Sequence, residues 1–289
     1  MTAKIGLRDV RLNFHSWSKY EECPKKFKLS EDRVPKTEPQ DEYYAVFGSV
    51  VQKYFEYFCN SPESNYTKAS SREEVSILLQ PLWDKAISRA TINWKGFGKR
   101  LSPEAYFESA VDCVWECLKS DIPIRGFVSE IKLVEKMKSG DSYVGVLDFV
   151  KEIKDEEGNV IDGIILDGKT TDKLGKNLSK DQLLSYAYLF YKKNGVIPSK
   201  VGFYYYRLRV AEMYDVTLED IEVLRKKLLV GLMAIKTDAE FKATPSSNAC
   251  KYCDWRSSCQ EYIEGKKKRN AEKTAKTLSG PPRGVTAIS

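Results

Sequence analysis

Between residues 43 and 60 the chain places Phe47, Val51, Phe55 and Phe58 at helical spacing, which predicts an amphipathic helix. Ser71 with Glu74 offers a capping box for a helix over 72–90, and Ser102-Pro103 opens a third over 103–119, with proline at its first position. The period then changes. From 124 to 171 the chain reads as strands broken by turns: IRGFVSEIKLVEKMK, a turn at SGD, SYVGVLDFVKEI, a turn at DEEGN, and VIDGIILDGKTT. A helix over about 180–193 ends at Asn194-Gly195, followed by a strand in KVGFYYYRLRV and a helix near 218–236. There is no internal repeat. Helices leading into a short sheet, with one helix returning before a further strand, predict an α/β fold: a mixed central β-sheet flanked by helices, with a helical insertion around 61–120.

The length of 289 residues suits one large domain or two small ones, and a single domain over 1–264 is the expectation. No run of 18 apolar residues exists and the opening MTAKIGLRDV lacks the apolar stretch of a secretory signal, so a cytoplasmic protein without a membrane partner is expected. The seven cysteines are then thiols or metal ligands rather than disulfides. A net charge of +6 points towards nucleic acid until its location is read. Residues 265–289 hold seven Lys or Arg and one Glu, which accounts for all of it. That basic segment, ending in Gly and Pro, is expected to be a disordered tail that either solubilises the chain or touches phosphate without sequence choice.

The chemistry concentrates in GVLDFV (145–150) and ILDGKTT (165–171). With the turn centred between Glu157 and Gly158, residues whose numbers sum to 315 face each other, and Asp148 meets Asp167. Directly opposed side chains share one face of a sheet, and Lys169, two residues beyond Asp167, shares it too. Two carboxylates and an ammonium on an otherwise apolar sheet are costly unless something binds them. A hard divalent cation relieves the repulsion, and the lysine beside it can orient or deprotonate a water. The plainer alternative is an Asp–Lys ion pair in a half-exposed sheet.

Asp148 followed by Asp167-Gly168-Lys169 resembles the core of the PD-(D/E)XK nucleases, and LDGKTT is close to the form of their RecB-like branch. The resemblance implies a restriction-endonuclease-like fold and a Mg²⁺ or Mn²⁺ ion held by Asp148, Asp167 and the Gly168 carbonyl, with Lys169 as the catalytic lysine. It also implies roles for Gln182 and Tyr186, one turn apart on the following helix, although Ser179 and Gln182 also read as a capping box and a helical tyrosine is often core. In one place the chain departs from the pattern. Where that branch carries a histidine in G-x3-H-x3-E, this chain has Gly48, Gln52 and Glu56. Gln52 can still offer an amide oxygen to Mg²⁺, so activity with Mg²⁺ and little advantage from Mn²⁺ are expected. The only histidine, His15, lies outside that helix and reads as structural.

Near the C-terminus Cys250, Cys253 and Cys259 stand as C-x2-C-x5-C, one thiolate short of a tetrahedral set. Cys113 and Cys117 lie i, i+4 in an apolar helix, and Cys59 ends another, so all three read as core residues. Cys23 sits beside Pro24 among polar neighbours. Here the chain resembles AddB-like and CRISPR-associated members of the same branch, whose S-x-S-x6-C-P-x2-F element matches Ser16, Ser18, Cys23, Pro24 and Phe27. The resemblance implies a [4Fe–4S] cluster on Cys23, Cys250, Cys253 and Cys259, forming a C-terminal iron–sulfur segment closed by both chain ends. Zinc on the same thiols is the alternative.

The expected function is a metal-dependent DNA nuclease, an exonuclease acting on single strands or duplex ends, with recombination, repair or CRISPR-adaptation proteins as partners. The competing expectation is a DNA-binding subunit that keeps the fold and the cluster without cutting. Tyr204, Tyr206, Arg207 and Arg209 read either as a stacking platform for a single strand or as a buried, Tyr-rich strand.

Overall fold

The computed structural model describes residues 9–38, 42–92, 102–120, 124–175 and 178–278. They fall into two compact units, Met1–Ser18 with Asp41–Ala239, and Lys19–Gln40 with Glu240–Ser289, where the sequence predicted one domain and a tail.

In the first unit the strands are β1 (Arg11–Leu12), β2 (Val128–Lys136), β3 (Ser142–Lys154), β4 (Val160–Lys169), β5 (Lys200–Tyr205) and β6 (Val210–Asp215). They form one mixed sheet in the order β1-β3-β4-β5-β6, with β2 also paired to β3. β3 and β4 pair antiparallel from Phe149↔Leu166 to Ile153↔Asp162, which is the register read from the sequence, with a bulge only at Lys154 by the turn. The stretch expected as one strand over 200–210 instead folds back on itself. Arg209 adopts a left-handed φ of 58° after Tyr205, and β6 returns antiparallel to β5.

One face of the sheet carries α3 (Tyr43–Asn60), α4 (Asn65–Lys68), α5 (Arg72–Ile87) and α6 (Pro103–Lys119). The apolar stripe of α3 lies in a core with Val75, Leu79 and Val114 beneath Phe149, Leu166, Tyr204 and Tyr206 of the sheet. Proline at the start of α6 and the Ser102 side chain, which accepts from the Ala105 N–H, set that helix's N-terminus as the sequence suggested. At α5 the Ser71 hydroxyl accepts from Glu74 N–H, but the Glu74 carboxylate accepts from Ser70 N–H, so the box closes one residue earlier.

α7 (Lys180–Asn194) covers the opposite face as the crossover between the parallel strands β4 and β5. It stops at Gly195, whose φ of 73° is the left-handed cap that glycine adopts without strain. α8 (Leu218–Thr237) follows, opened by a full capping box between Thr217 and Asp220. Its Lys236 ammonium meets the buried Asp141 carboxylate at 2.8 Å, and Asp141 also accepts from Val10 N–H and the Ser139 hydroxyl. Burial pushes the Asp141 carboxyl up, but these donors outweigh it and hold it below its ordinary value.

The second unit brings together α2 (Pro24–Glu31), α9 (Ser247–Lys251), a 3-10 turn at Arg256–Ser258 and α10 (Gln260–Leu278), while α1 (Phe14–Glu22) begins in the first unit and ends in the second. Trp255 Nε1 donates to the Val34 and Pro35 carbonyls, the N–H groups of Thr37 and Glu38 donate to Asp254 O, and Lys25 pairs with Glu261 at 2.8 Å. Disorder was expected from residue 265, yet α10 runs on to Leu278. Its Lys, Arg, Glu and Ala residues are strong helix formers, and local propensity prevails over high charge. Residues 279–289 lie outside the described residues. Among the described residues no helix is long and apolar enough to cross a membrane.

Candidate active site

Beyond the pair Phe149↔Leu166 the strands β3 and β4 part, and the Asp148 side chain takes over where a ladder bond would continue. Its Oδ2 accepts the Gly168 N–H at 2.9 Å. Asp167, on the next strand, is almost fully buried at 2% exposure. Lys169 Nζ lies 2.5 Å from Asp167 Oδ2 and 3.4 Å from Gln182 Oε1. Asp167 Oδ2 and the Lys169 ammonium form a buried ion pair, which pulls the Asp167 carboxyl down against its burial.

From α7, Gln182 Nε2 donates to Asp167 Oδ1 at 3.0 Å and to the Tyr186 hydroxyl at 3.2 Å. The capping alternative for Gln182 does not hold, since the Ser179 hydroxyl accepts instead from Asp181 N–H and the Gln182 side chain points into the site. Gln182 and Tyr186 are both buried. Asp148, Asp167, Lys169, Gln182 and Tyr186 thus form one connected cluster at the sheet–α7 boundary.

Alternation along β4 turns Gly168 to the other face, towards α3. A Cβ there would collide with the Tyr206 hydroxyl and Gln52 Oε1, so only glycine lets these two groups lie over the strand. Tyr206 donates to Gln52 Oε1 at 2.5 Å, and Gln52 Nε2 donates to Glu130 Oε1 at 3.4 Å. Glu56, one turn on, pairs with Lys53 rather than with the site. Gln52 therefore stands beside the Gly168 backbone with both ends of its amide engaged.

Glu130 was missed in the sequence. The β2–β3 ladder pairs Ser129↔Phe149 and Ile131↔Leu147, so Glu130 stands opposite Asp148. Its φ of 59° breaks the strand alternation at that point. The counting applied to the second hairpin, repeated on the turn at SGD, would have found it. His15 is the second difference. It is exposed, and its ring, when charged, draws the Asp167 carboxyl down. Tyr204 and Tyr206 are fully buried, and the Arg207 guanidinium lies 4.3 Å from the Phe47 ring centre, which is the buried-strand alternative rather than an open stacking platform.

The electrostatics follow from crowding. Burial and then the charge of Asp167 push the Asp148 carboxyl up to about 8. Burial pushes Asp167 up as well, against the pull of Lys169 and His15. Partial desolvation raises Glu130, and the neighbouring Glu56 adds to it. Such a site gains most from a cation placed between the carboxylates. The donor set of two carboxylates, a backbone carbonyl and an amide oxygen suits a hard divalent ion.

A model of the PD-(D/E)XK nuclease superfamily matches residues 11–260. The chain belongs to the PD-(D/E)XK nuclease superfamily. That membership makes it a nuclease-family protein, with nucleic acid as the substrate of the family. No curated protein matches the sequence. Among solved structures, the chain is similar to one described as "Putative exonuclease" from Eubacterium rectale, with 9% identity and a TM-score of 0.45 over 78% of this chain and 81% of that one. It is also similar to a structure described as SSO0001, with 16% identity and a TM-score of 0.32 over 86% of this chain and 95% of that one. Similarities this loose carry no conclusion about activity.

The second unit holds the other predicted site. Cys23, at the start of α2, lines one pocket with Cys250, Cys253 and Cys259, walled by Ala249 and Trp255. Cys113 and Cys117 are buried in the helical core as expected, and Cys59 is half-buried at the end of α3. Burial raises the Cys253 thiol, and the neighbouring Cys23 and Cys250 add to that, while burial also raises Cys259. Among the described residues no group of three or more His, Cys, Asp or Glu is already drawn into a metal-ligating arrangement. The donor chemistry of four thiols facing one apolar pocket nonetheless fits a thiophilic group.

Proposed function

We propose that this PD-(D/E)XK protein is a metal-dependent deoxyribonuclease of the RecB/AddB-like, iron–sulfur subgroup, hydrolysing phosphodiester bonds at DNA ends or in single strands as an exonuclease. The observation that carries the proposal is the juxtaposition of the Asp148 and Asp167 carboxylates with the Lys169 ammonium.

Asp148, Asp167 and the Gly168 carbonyl would hold Mg²⁺ or Mn²⁺, with Gln52 beside them, and the ion would supply charge neutralisation and Lewis-acid polarisation of a phosphate. The chain's own groups do the rest. Gln182 clamps Asp167 Oδ1 and leaves Oδ2 directed into the site. Tyr186 receives the second amide hydrogen of Gln182 and so fixes the amide's orientation. Lys169, held between Asp167 and Gln182, is placed to orient the attacking water and to exchange a proton with it. Cys23, Cys250, Cys253 and Cys259 would hold a [4Fe–4S] cluster as a staple of the second unit, remote from this chemistry in role.

A second reading, a DNA-binding subunit that does not cut, draws on Gln52: its Oε1 already accepts from Tyr206 and its amide nitrogen serves Glu130. End-labelled single- and double-stranded DNA incubated with Mg²⁺ separates the two. Cleavage that falls on the order of a thousandfold in Asp148→Ala supports the nuclease. Wild-type protein that binds DNA but shows no Asp148-dependent cleavage, with the cluster intact and oxygen excluded, supports the binding subunit instead.

A further inference from the structure

α3 reaches the catalytic site through Gln52, and the strands hold that side chain from two sides. Tyr206 Oη donates to Gln52 Oε1 at 2.5 Å, and Gln52 Nε2 donates to Glu130 Oε1 at 3.4 Å. The orientation of the amide follows from these partners. A carboxylate accepts and does not donate, so Glu130 meets the NH2 end and the oxygen is left to face Tyr206. Tyr206 is then the donor in that contact. Burial, and after it the charge of Asp148, push its phenol well above the ordinary value, so the proton stays in place. The ring is fully buried, stacks on Phe55 at 5.0 Å and meets Phe149 edge-on at 6.4 Å, which leaves it no room to swing away.

Glu130 is held as well. Its left-handed φ of 59° follows Ser129, whose N–H is accepted by Asn60 Oδ1 at 2.7 Å and whose carbonyl accepts from Asn60 Nδ2 at 3.0 Å. Asn60 ends the helix that carries Gln52, so α3 fixes both the amide and the backbone beside its acceptor. A non-glycine residue keeps such a conformation only where its surroundings impose it. The clamped oxygen lies over Gly168, whose N–H is bonded to Asp148 Oδ2 at 2.9 Å. An amide oxygen accepts on two lone pairs, and Tyr206 takes one of them.

We infer that Tyr206, with Glu130 at the opposite end of the amide, is a positioning residue that presents the oxygen of Gln52, and not its nitrogen, to the cation held by Asp148 and Asp167. The inference rests on the metal-dependent reading of that site. An amide turned over would offer N–H groups to a cation and repel it. Both ends being engaged is therefore what makes Gln52 serviceable as a ligand. Tyr206 and Glu130 act through Gln52, so their contribution should vanish when Gln52 is removed.

The test is calorimetric titration of Mn²⁺ into the full chain without DNA. Tyr206→Phe, which removes only the hydroxyl, and Glu130→Gln should each weaken Mn²⁺ binding by at least about tenfold, as loss of an outer partner does at metal sites. In a Gln52→Ala background, itself weaker than wild type, each loss should shrink to within about twofold. That comparison separates orientation from the general attraction of the Glu130 charge, and Tyr206→Phe changes no charge at all. Melts in EDTA check folding, and the exposed position of Glu130 keeps the cycle available should the buried variant unfold. Unchanged affinity in the folded variants or in Gln52→Ala would overturn the inference, and so would losses that persist undiminished without Gln52. Wild-type protein that binds no ion would sink the metal-dependent reading and the inference with it, whereas wild-type binding that the variants leave intact sinks the inference alone.

Discussion

At the scale of single residues, the site is governed by where charge is buried. Asp148 binds its proton up to about pH 8 in the fold, whereas an unfolded carboxyl releases it near pH 4. A raised carboxyl works against folding as pH climbs through that window, so the metal-free protein should lose stability between about pH 4 and 8. Asp148→Asn should remove part of that loss, worth about 1–2 kcal/mol at pH 8, in thermal melts with EDTA. If wild type and variant lose stability in parallel from pH 4 to 8, the carboxyl is not crowded. Gly168 sets a second residue-level constraint. Tyr206 stacks on Phe55 at 5.0 Å and is fully buried, so it cannot move aside for a methyl group. Gly168→Ala should cost about 1–3 kcal/mol in denaturant unfolding, and a neutral result would mean that the Tyr206–Gln52 contact is not held over the strand. The pair Asp148 and Asp167 was legible in the sequence because a hairpin with a clear turn converts numbering into geometry. Glu130 was legible by the same counting from the turn at SGD, and only its left-handed backbone leaves no trace in a period-two pattern.

At the scale of elements, what the sequence announced was what local rules control. The turn chemistry at DEEGN, the Ser102-Pro103 start and the Gly195 stop each fixed an end of an element within a residue or two. The β5–β6 hairpin was read as one strand because its turn, YRLR, carries no Gly, Pro or Asn, and Arg209 adopts the left-handed conformation unannounced. Tertiary joints were equally invisible. Asp141 binds the segment before β1 through Val10 N–H, the β2–β3 turn through Ser139 and the end of α8 through Lys236, whose side chain is only 8% exposed. Asp141→Ala should therefore cost about 3 kcal/mol, since it strands a buried ammonium. The Asp141 carboxyl sits below its ordinary value, so this stabilisation is present above about pH 4 and is lost as pH falls through the folded value. Urea melts of wild type and variant should differ at pH 7 and converge in acid; a gap that persists unchanged in acid would assign the loss to packing instead of charge.

At the scale of the whole molecule, cysteines 227 positions apart in sequence line one pocket of the second unit, where α2, α9 and the turn before α10 meet. Composition could not reveal that the chain divides into two units, because each is assembled from segments distant in sequence. Cys23→Ser should abolish visible absorbance in protein prepared without oxygen and make Lys19–Gln40 more susceptible to proteolysis; a colourless wild type with stoichiometric zinc would replace the iron–sulfur proposal. The central claim is that Asp148 and Asp167 share one hard cation beside Lys169. Titration of Mn²⁺ into the full chain, followed by the loss of the free-ion electron paramagnetic resonance signal, tests it most directly. One ion per chain should bind in the wild type and be lost in both Asp148→Asn and Asp167→Asn. Undiminished binding of that ion in either variant would contradict the claim.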